Sequence, residues 1–207
     1  MAFSYFFNME KLSLSIAQEH IQGMTEDMNY IDNFFDDDKL INNLKNGFVE
    51  LTMLNSFIES FVNTIIDSCM KYDGEVLLKC SIDEKIEIIF MYYGKDFRVL
   101  KSKDAWGTYK NASKVRNELI HFKKSYIGDG TGTPDFMIGK QRISDFFIRS
   151  KLEKIYEKYI ELTDLIANMI GLKIYKEIGV FGCDGKDGLV NYVFNPEEII
   201  VDDDRFE

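Results

Sequence analysis

The apolar residues of this chain recur mainly at helical spacing. Between Phe48 and Lys71 they alternate steps of three and four residues, which places Leu51, Leu54, Ile58, Phe61 and Ile65 on one helix face. The same spacing recurs later in the chain, at Leu152, Ile155, Tyr159, Leu162, Ile166 and Met169. Each stripe is long enough to cover a core, so we predict two long core helices.

Residues that start and stop helices mark further boundaries. The pairs Ser81-x-x-Glu84 and Ser150-x-x-Glu153 have the spacing of capping boxes, and each predicts a helix N-terminus. Gly94 and Gly171 stand where these two helices are expected to end. Additional helices are predicted over residues 6–22, 27–46 and 104–124.

Two glycine-rich stretches interrupt the helical pattern. Residues 128–134 lack the spacing of a phosphate-binding loop, so they predict a mobile connection, placed where a flap could cover a site. Residues 180–194 alternate β-forming residues around a Gly-rich turn and predict a β-hairpin. The predicted fold class is therefore all-α: a helical bundle over residues 1–172, with residues 173–207 forming a hairpin and acidic tail packed on the same domain.

Composition limits the class of protein. With 45% hydrophobic residues in 207, the chain can bury a sizeable core. Its apolar runs stop well short of the roughly 20 residues that a membrane span needs, and its first residues lack the basic start of a signal peptide. We therefore expect a cytoplasmic protein with no membrane association. Three cysteines without a C-x-x-C pair favour reduced thiols over a disulfide framework or a zinc site.

Charge is distributed unevenly along the chain. The formal net charge of -10 argues against a protein that coats nucleic acid through its overall field. Between Lys95 and Lys124, however, the sequence has nine basic residues and only three acidic ones. This stretch is either a docking surface for a polyanion or a solvated, lysine-rich helix face. In the first case Lys110, Lys114, Lys123 and Lys124 are the residues expected to bind RNA.

The helix predicted over residues 104–124 has two different faces. At 100° per residue its apolar side carries Ala112, Val115, Leu119 and Phe122. The side turned away from them carries Arg116, Asn117, Ile120 and His121. An isoleucine amid polar residues on an outer face suggests that this face packs against something, and a second copy of the same helix is the economical partner. We therefore predict a homodimer with Ile120 in its interface.

The chemistry available to this face is limited. The chain has only two histidines, and no carboxylate cluster with metal-ligand spacing flanks His121, so we expect neither a metal nor another cofactor. An imidazole can transfer protons near neutral pH, and a guanidinium can bind a phosphate through two hydrogen bonds. RNA supplies its own nucleophile in the 2′-hydroxyl. His121 would then act as acid or base, while Arg116 holds the scissile phosphate.

These residues also resemble a known family. Residues 115–122 carry Arg-Asn-x-x-x-His near the end of a core helix and resemble the signature of the HEPN superfamily. Residues 54–63 are similar to the long early helix of such proteins, and residues 81–87 to the helix that precedes the motif helix. The resemblance covers roughly residues 45–170.

The resemblance implies both a fold and an activity. It implies a helical bundle that pairs through its motif helices, a metal-independent endoribonuclease in active members, and a role in toxin-antitoxin or antiviral systems. Arg116 and His121 would be catalytic, and Asn117 would be the polar residue that commonly follows the arginine. The implied partners are an antitoxin or a nucleotidyltransferase. One subclass has a modifiable tyrosine two residues after the histidine, whereas this chain has Lys123 there.

Two other polar features have alternative interpretations. Asn55, Glu59 and Asn63 share one strip of the long helix, which either faces solvent or orients Arg116 and His121 from behind. His20 follows Leu12 and Ile16 at four-residue steps and is expected at the edge of the core.

The sequence supports two hypotheses for function. The first is the homodimeric, metal-independent endoribonuclease described above. The second is a non-catalytic dimer of the same fold that scaffolds a protein or nucleotide partner, which the acidic overall charge favours.

Overall fold

Helices make up most of the structure. The computed structural model describes residues 9–26, 37–70, 77–121, 137–138, 141–171, 174–178 and 190–194. The α-helices are α1 (Met9–Gln22), α2 (Asp37–Cys69), α3 (Ile82–Tyr92), α4 (Phe97–Lys101), α5 (Asp104–Ile120), α6 (Ile143–Phe146) and α7 (Arg149–Ile170), with a 3₁₀ turn at Leu77–Lys79. Two antiparallel strand pairs join β1 (Met137–Ile138) to β2 (Gln141–Arg142), and β3 (Ile174–Ile178) to β4 (Val190–Phe194). Because helices make up most of the described residues, the predicted all-α fold class is confirmed for the described residues within 9–171.

Helix α2 lies at the centre of the packing. It spans 33 residues and contacts α1, α3, α5 and α7. Its predicted apolar stripe is fully buried, at Leu51, Leu54, Ile58, Phe61 and Ile65. The stripe on α7 is buried as well, except for Met169, which is half-buried against the core. Both predicted core helices are therefore confirmed.

The prediction of separate helices before and after Gly47 is wrong, because α2 continues through this residue. A Cβ atom at Gly47 would lie 2.2 Å from Cδ1 of Phe147 and 2.9 Å from Cδ1 of Leu152. The glycine therefore allows the chain at the start of α7 to approach the α2 backbone closely. Gly47 therefore lies inside a helix, where it makes room for Phe147 and Leu152, and does not mark a helix end.

Asparagines on α2 tie neighbouring segments to it. The fully buried Asn43 donates to the carbonyl oxygens of Thr25 at 3.0 Å and Phe147 at 2.9 Å, and accepts from the Thr25 amide at 3.0 Å. His20 is half-buried, and its Nδ1 lies 2.8 Å from Oδ1 of Asn46. The position predicted for His20 at the core edge is confirmed.

Helix α3 begins and ends as predicted. The Ser81 hydroxyl accepts a hydrogen bond from the Glu84 amide, and the Glu84 carboxylate accepts one from the Ser81 amide at 2.7 Å. This reciprocal pair satisfies two backbone donors that the first helical turn would leave unpaired. At the other end, Gly94 follows the helix with a positive φ of 62°, a conformation in which glycine is favoured.

The capping box predicted at Ser150 is wrong. Helix α7 begins one residue earlier, at Arg149, and its N-cap Ile148 makes no side-chain capping bond. Glu153 accepts from Nε of Arg149 at 2.8 Å, and the Ser150 amide donates to the carboxylate of Glu26 at 3.3 Å. A residue distant in sequence thus supplies the acceptor that the local box was expected to provide. The predicted end at Gly171 is confirmed, with φ of 80°.

A chain of aromatic rings connects α3 to α7 through the core. Ring centroids are 5.2 to 5.8 Å apart along the sequence of contacts Phe90, Phe97, Trp106, Tyr109 and Tyr159. These separations and the tilted or edge-on ring orientations are favourable for aromatic pairs. These ring contacts hold α5 between α3 and α7.

Two sequence predictions concern residues outside the described part of the chain. The Gly-rich segment 128–134 lies entirely outside it. Strands β3 and β4 pair from Ile174 with Phe194 to Ile178 with Val190, but residues 179–189 lie outside it. The hairpin predicted over residues 180–194 therefore stays a prediction. Among the described helices, none combines the length and apolarity needed to cross a membrane.

Candidate functional site

The C-terminal half of α5 carries the predicted site, and its apolar face packs as expected. Ala112 and Val115 are buried, and Leu119 is half-buried against the core. The helix ends at Ile120, where the His121 amide closes the last turn by donating to the Asn117 carbonyl at 3.0 Å. Phe122 lies outside the described residues. His121 thus occupies the helix terminus.

Three of the four predicted site residues are exposed. Asn117 and His121 face solvent, and Ile120 leaves 47% of its surface exposed. An isoleucine this exposed between two polar residues forms a small apolar patch on the outer side of α5. We call Arg116, Asn117, Ile120 and His121 the α5 motif face.

Arg116 differs from the expectation that it points away from the core. It is half-buried, and its Nε atom is buried with no hydrogen-bond partner among the described residues. Its Nη1 atom donates to Oδ1 of Asn117 at 2.6 Å. The physical reason is helical register, since Arg116 continues the stripe of Tyr109 and Ser113, which faces α2 and α7.

Behind Arg116 lies a buried polar cluster formed by three helices. The Ser113 hydroxyl of α5 donates to Oδ1 of Asn55 on α2 at 2.7 Å. Nδ2 of Asn55 donates to the Leu51 carbonyl at 2.7 Å and to the hydroxyl of Tyr159 on α7 at 3.2 Å. Asn55 is only 4% exposed, so these bonds replace contacts with water. The cluster anchors α5 one turn before Arg116.

The pKa of the Tyr159 hydroxyl is raised, mainly by burial. Burial raises the pKa of Tyr159, while hydrogen bonds from Ser113 and Asn55 and the positive charge of Arg116 lower it. Burial dominates, so the hydroxyl stays neutral at physiological pH. Among the described residues, Arg116 forms no ion pair with a carboxylate.

The sequence analysis did not identify Glu50, which is a buried acid. It is fully buried, and neither of its carboxyl oxygens has a hydrogen-bond partner among the described residues. Burial, reinforced by the nearby charge of Glu153, raises its pKa to about 9. Burial also raises the pKa of Tyr156 to about 12, with a smaller contribution from Glu50. The available sequence signal was that Glu50 stands in helical register with Leu54 of the core stripe.

Glu59 and Asn63 contact α3 rather than α5. Both bind the ammonium of Lys85, at 3.3 Å for Oε1 of Glu59 and 2.9 Å for Oδ1 of Asn63. Lys85 is only 1% exposed, so the two oxygens compensate a buried cation. Of the three polar residues on this strip of α2, only Asn55 forms a hydrogen bond with a described residue of α5, the helix that carries Arg116.

The lysines predicted to bind RNA are partly neutralised. Lys110 forms an ion pair with Asp83, and Lys114 lies 3.8 Å from Glu118. Lys123 and Lys124 lie outside the described residues. Glu118 is already among the three acids of the counted stretch, whereas Asp83 lies outside it and lowers the cationic surplus at this surface.

Comparison with known proteins yields no relatives: no family model matches the chain, and no curated protein or solved structure matches it. In the described part of the chain, no group of three or more His, Cys, Asp or Glu side chains is arranged to hold a metal ion. The α5 motif face offers an exposed imidazole, an amide and a guanidinium with an unsatisfied buried nitrogen. These groups can bind an anion and transfer a proton.

Proposed function

We propose that this protein is a metal-independent endoribonuclease of the HEPN type that cuts RNA at a site shared by two copies of α5. The observation that carries the proposal is the pairing of a pre-positioned guanidinium with an exposed imidazole on one helix end. Arg116 is half-buried and donates a hydrogen bond to Asn117, whereas His121 is exposed to solvent. Arginine held in this way costs little additional ordering when it binds a phosphate.

Helix geometry supports a site made from two chains. Arg116 and His121 are five residues apart, which separates them by about 7.5 Å along the helix axis and about 140° around it. Both side chains of one helix therefore have difficulty reaching the same phosphate. A second copy related by a two-fold axis would bring its own His121 towards Arg116, with the exposed Ile120 residues packed between them.

The reaction needs no external nucleophile. His121 would accept the proton of the ribose 2′-hydroxyl while the 2′-oxygen forms a bond to phosphorus. The bond between phosphorus and the 5′-oxygen would break, and that oxygen would take up a proton from an acid. Arg116 would stabilise the negative charge that grows on the phosphate oxygens. The products are a 2′,3′-cyclic phosphate and a 5′-hydroxyl end.

The direct test is RNA cleavage in EDTA with structured and unstructured substrates. His121→Ala and Arg116→Ala should each lower the rate by at least about 100-fold, because each removes a group needed in the transition state. His20→Ala and Arg98→Ala are the matched controls, since each removes the same side chain away from α5. Equal residual activity in all four variants would refute the proposal.

Mixing the two inactive variants tests whether the site is shared. If Arg116 of one chain acts with His121 of the other, a mixture of Arg116→Ala and His121→Ala regains roughly a quarter of the wild-type activity. Half of the dimers are then mixed, and each mixed dimer contains one complete site. No recovery despite exchange of subunits would contradict a shared site.

The dimer itself is tested by Ile120→Arg, which should give a monomer by light scattering because it places a charge in the apolar patch. Val99→Arg is a matched control, since Val99 on α4 is 48% exposed. A wild-type dimer that cleaves no RNA, with intact folding, would instead favour the non-catalytic scaffold.

A further inference from the structure

A groove between α5 and α7 lies apart from the α5 motif face. It has a volume of about 390 Å³, within the range of small-molecule and ligand-binding clefts. Its α7 wall carries three lysines at helical spacing, Lys151, Lys154 and Lys158. We call this feature the lysine groove.

The charges of the lysine groove are only partly compensated. Lys158 binds Asp104 across the groove at 3.0 Å and also Glu161 at 2.7 Å. Lys151 and Lys154 are exposed and have no ion pair within the described ranges. Glu157 is the remaining acid of the lining. Two unpaired ammonium groups in one groove therefore favour an anionic ligand.

The α5 wall adds hydrogen-bonding groups and space. Thr108 and Asn111 line it with a hydroxyl and an amide. Gly107, which directly precedes Thr108 in the helix, also lines the groove, and an added Cβ atom there would meet nothing within 4 Å. The wall is thus open and polar, which suits a ligand that carries phosphate oxygens and sugar hydroxyls more than an apolar one.

The lysine groove and the proposed active site lie on the same helix, α5, but some distance apart. Asn111 and His121 are ten residues apart on α5, which corresponds to roughly 15 Å along the helix axis. On the helical wheel the groove residues of α5 lie on a different side from Arg116. A ligand that contacts both places must be extended, as a single strand of RNA is.

We infer that the lysine groove binds backbone phosphates of an RNA strand that extends away from the α5 motif face, with Lys151 and Lys154 as the phosphate-binding residues. The identity of the strand as a substrate rests on the proposed function. The groove would then contribute affinity without sequence preference, because ammonium groups contact phosphates and not base edges.

The test is binding of a labelled single-stranded RNA of roughly 12 nucleotides, measured by anisotropy at several salt concentrations. The full chain carries His121→Ala so that the RNA stays intact. Adding Lys151→Gln with Lys154→Gln should weaken binding about tenfold and reduce the slope of log Kd against log salt by about 1.4. The charge-matched control is Lys45→Gln with Lys79→Gln, on exposed lysines of α2 and the 3₁₀ turn.

Equal Kd and slope in the two double variants would overturn the inference. Competition by a mononucleotide as effective as by the strand would also overturn it, because the ligand would then be a free nucleotide. A dinucleotide is too short to reach the groove, so wild type and the groove variant should cleave it equally. Failure of wild type to cut any RNA, with binding still dependent on the groove, would refute the proposed function alone.

Discussion

The ionisation of Glu50 should make the stability of this protein depend on pH. Glu50 is fully buried, and neither carboxyl oxygen has a hydrogen-bond partner in the described part of the chain. Burial, with the charge of Glu153, raises its pKa from 4.5 to about 9. At pH 7 the folded protein therefore holds a proton on Glu50 that the unfolded chain releases.

The size of this pH effect on stability follows from the difference between the pKa of Glu50 in the unfolded chain and its pKa in the folded protein. At pH values below 4.5 the carboxyl is protonated in both states, so its ionisation has no effect on the free energy of unfolding. Above that value each pH unit lowers this free energy by about 1.4 kcal/mol, until the folded pKa is reached. At pH 7 the penalty is about 3 kcal/mol. This is a large fraction of the stability of an ordinary domain.

The substitution Glu50→Gln removes the ionisation while keeping the shape of the side chain. Urea unfolding between about pH 5 and pH 8 should show the variant gaining stability over wild type by about 1.4 kcal/mol for each pH unit. Glu19→Gln removes the same charge from an exposed position on α1, and its profile should run parallel to wild type. A constant difference between Glu50→Gln and wild type over this range would refute the reasoning.

Further predictions concern local packing and capping, each measured by urea unfolding. Gly47→Ala should destabilise the protein by about 1–3 kcal/mol, because its Cβ would overlap the ring of Phe147. Gly107→Ala, where the added Cβ meets nothing within 4 Å, should instead stabilise it by about 0.5–1 kcal/mol; destabilisation there would count against the packing assigned to α5. Ser81→Ala should cost about 1 kcal/mol through loss of the capping box, and an unchanged midpoint would show that the cap contributes nothing.

Periodicity located the helices because burial repeats with the helix turn. It predicted the buried stripes of α2 and α7, and it predicted that Ala112 and Val115 face the core. Local sequence patterns gave wrong predictions where a residue distant in sequence determines the structure. Two separate helices were predicted where α2 runs continuously through Gly47 against Phe147, and the expected cap at Ser150 is replaced by a contact with Glu26. In both cases the deciding residue lies far away in the chain, 100 residues from Gly47 and 124 residues from Ser150.

The same limit applies to the candidate site. Helical spacing sufficed to place Asn117, Ile120 and His121 on an exposed surface, since exposure there depends only on the helix. The buried polar cluster one turn before Arg116 depends on Asn55 and Tyr159, which are 104 residues apart in sequence and meet at 3.2 Å. No local pattern encodes that contact. Arg116 is the half-buried residue of the α5 motif face, and His121 is one of its exposed residues. In the proposed shared site, the half-buried guanidinium would set where the phosphate binds, and docking of the second chain would bring the imidazole to it.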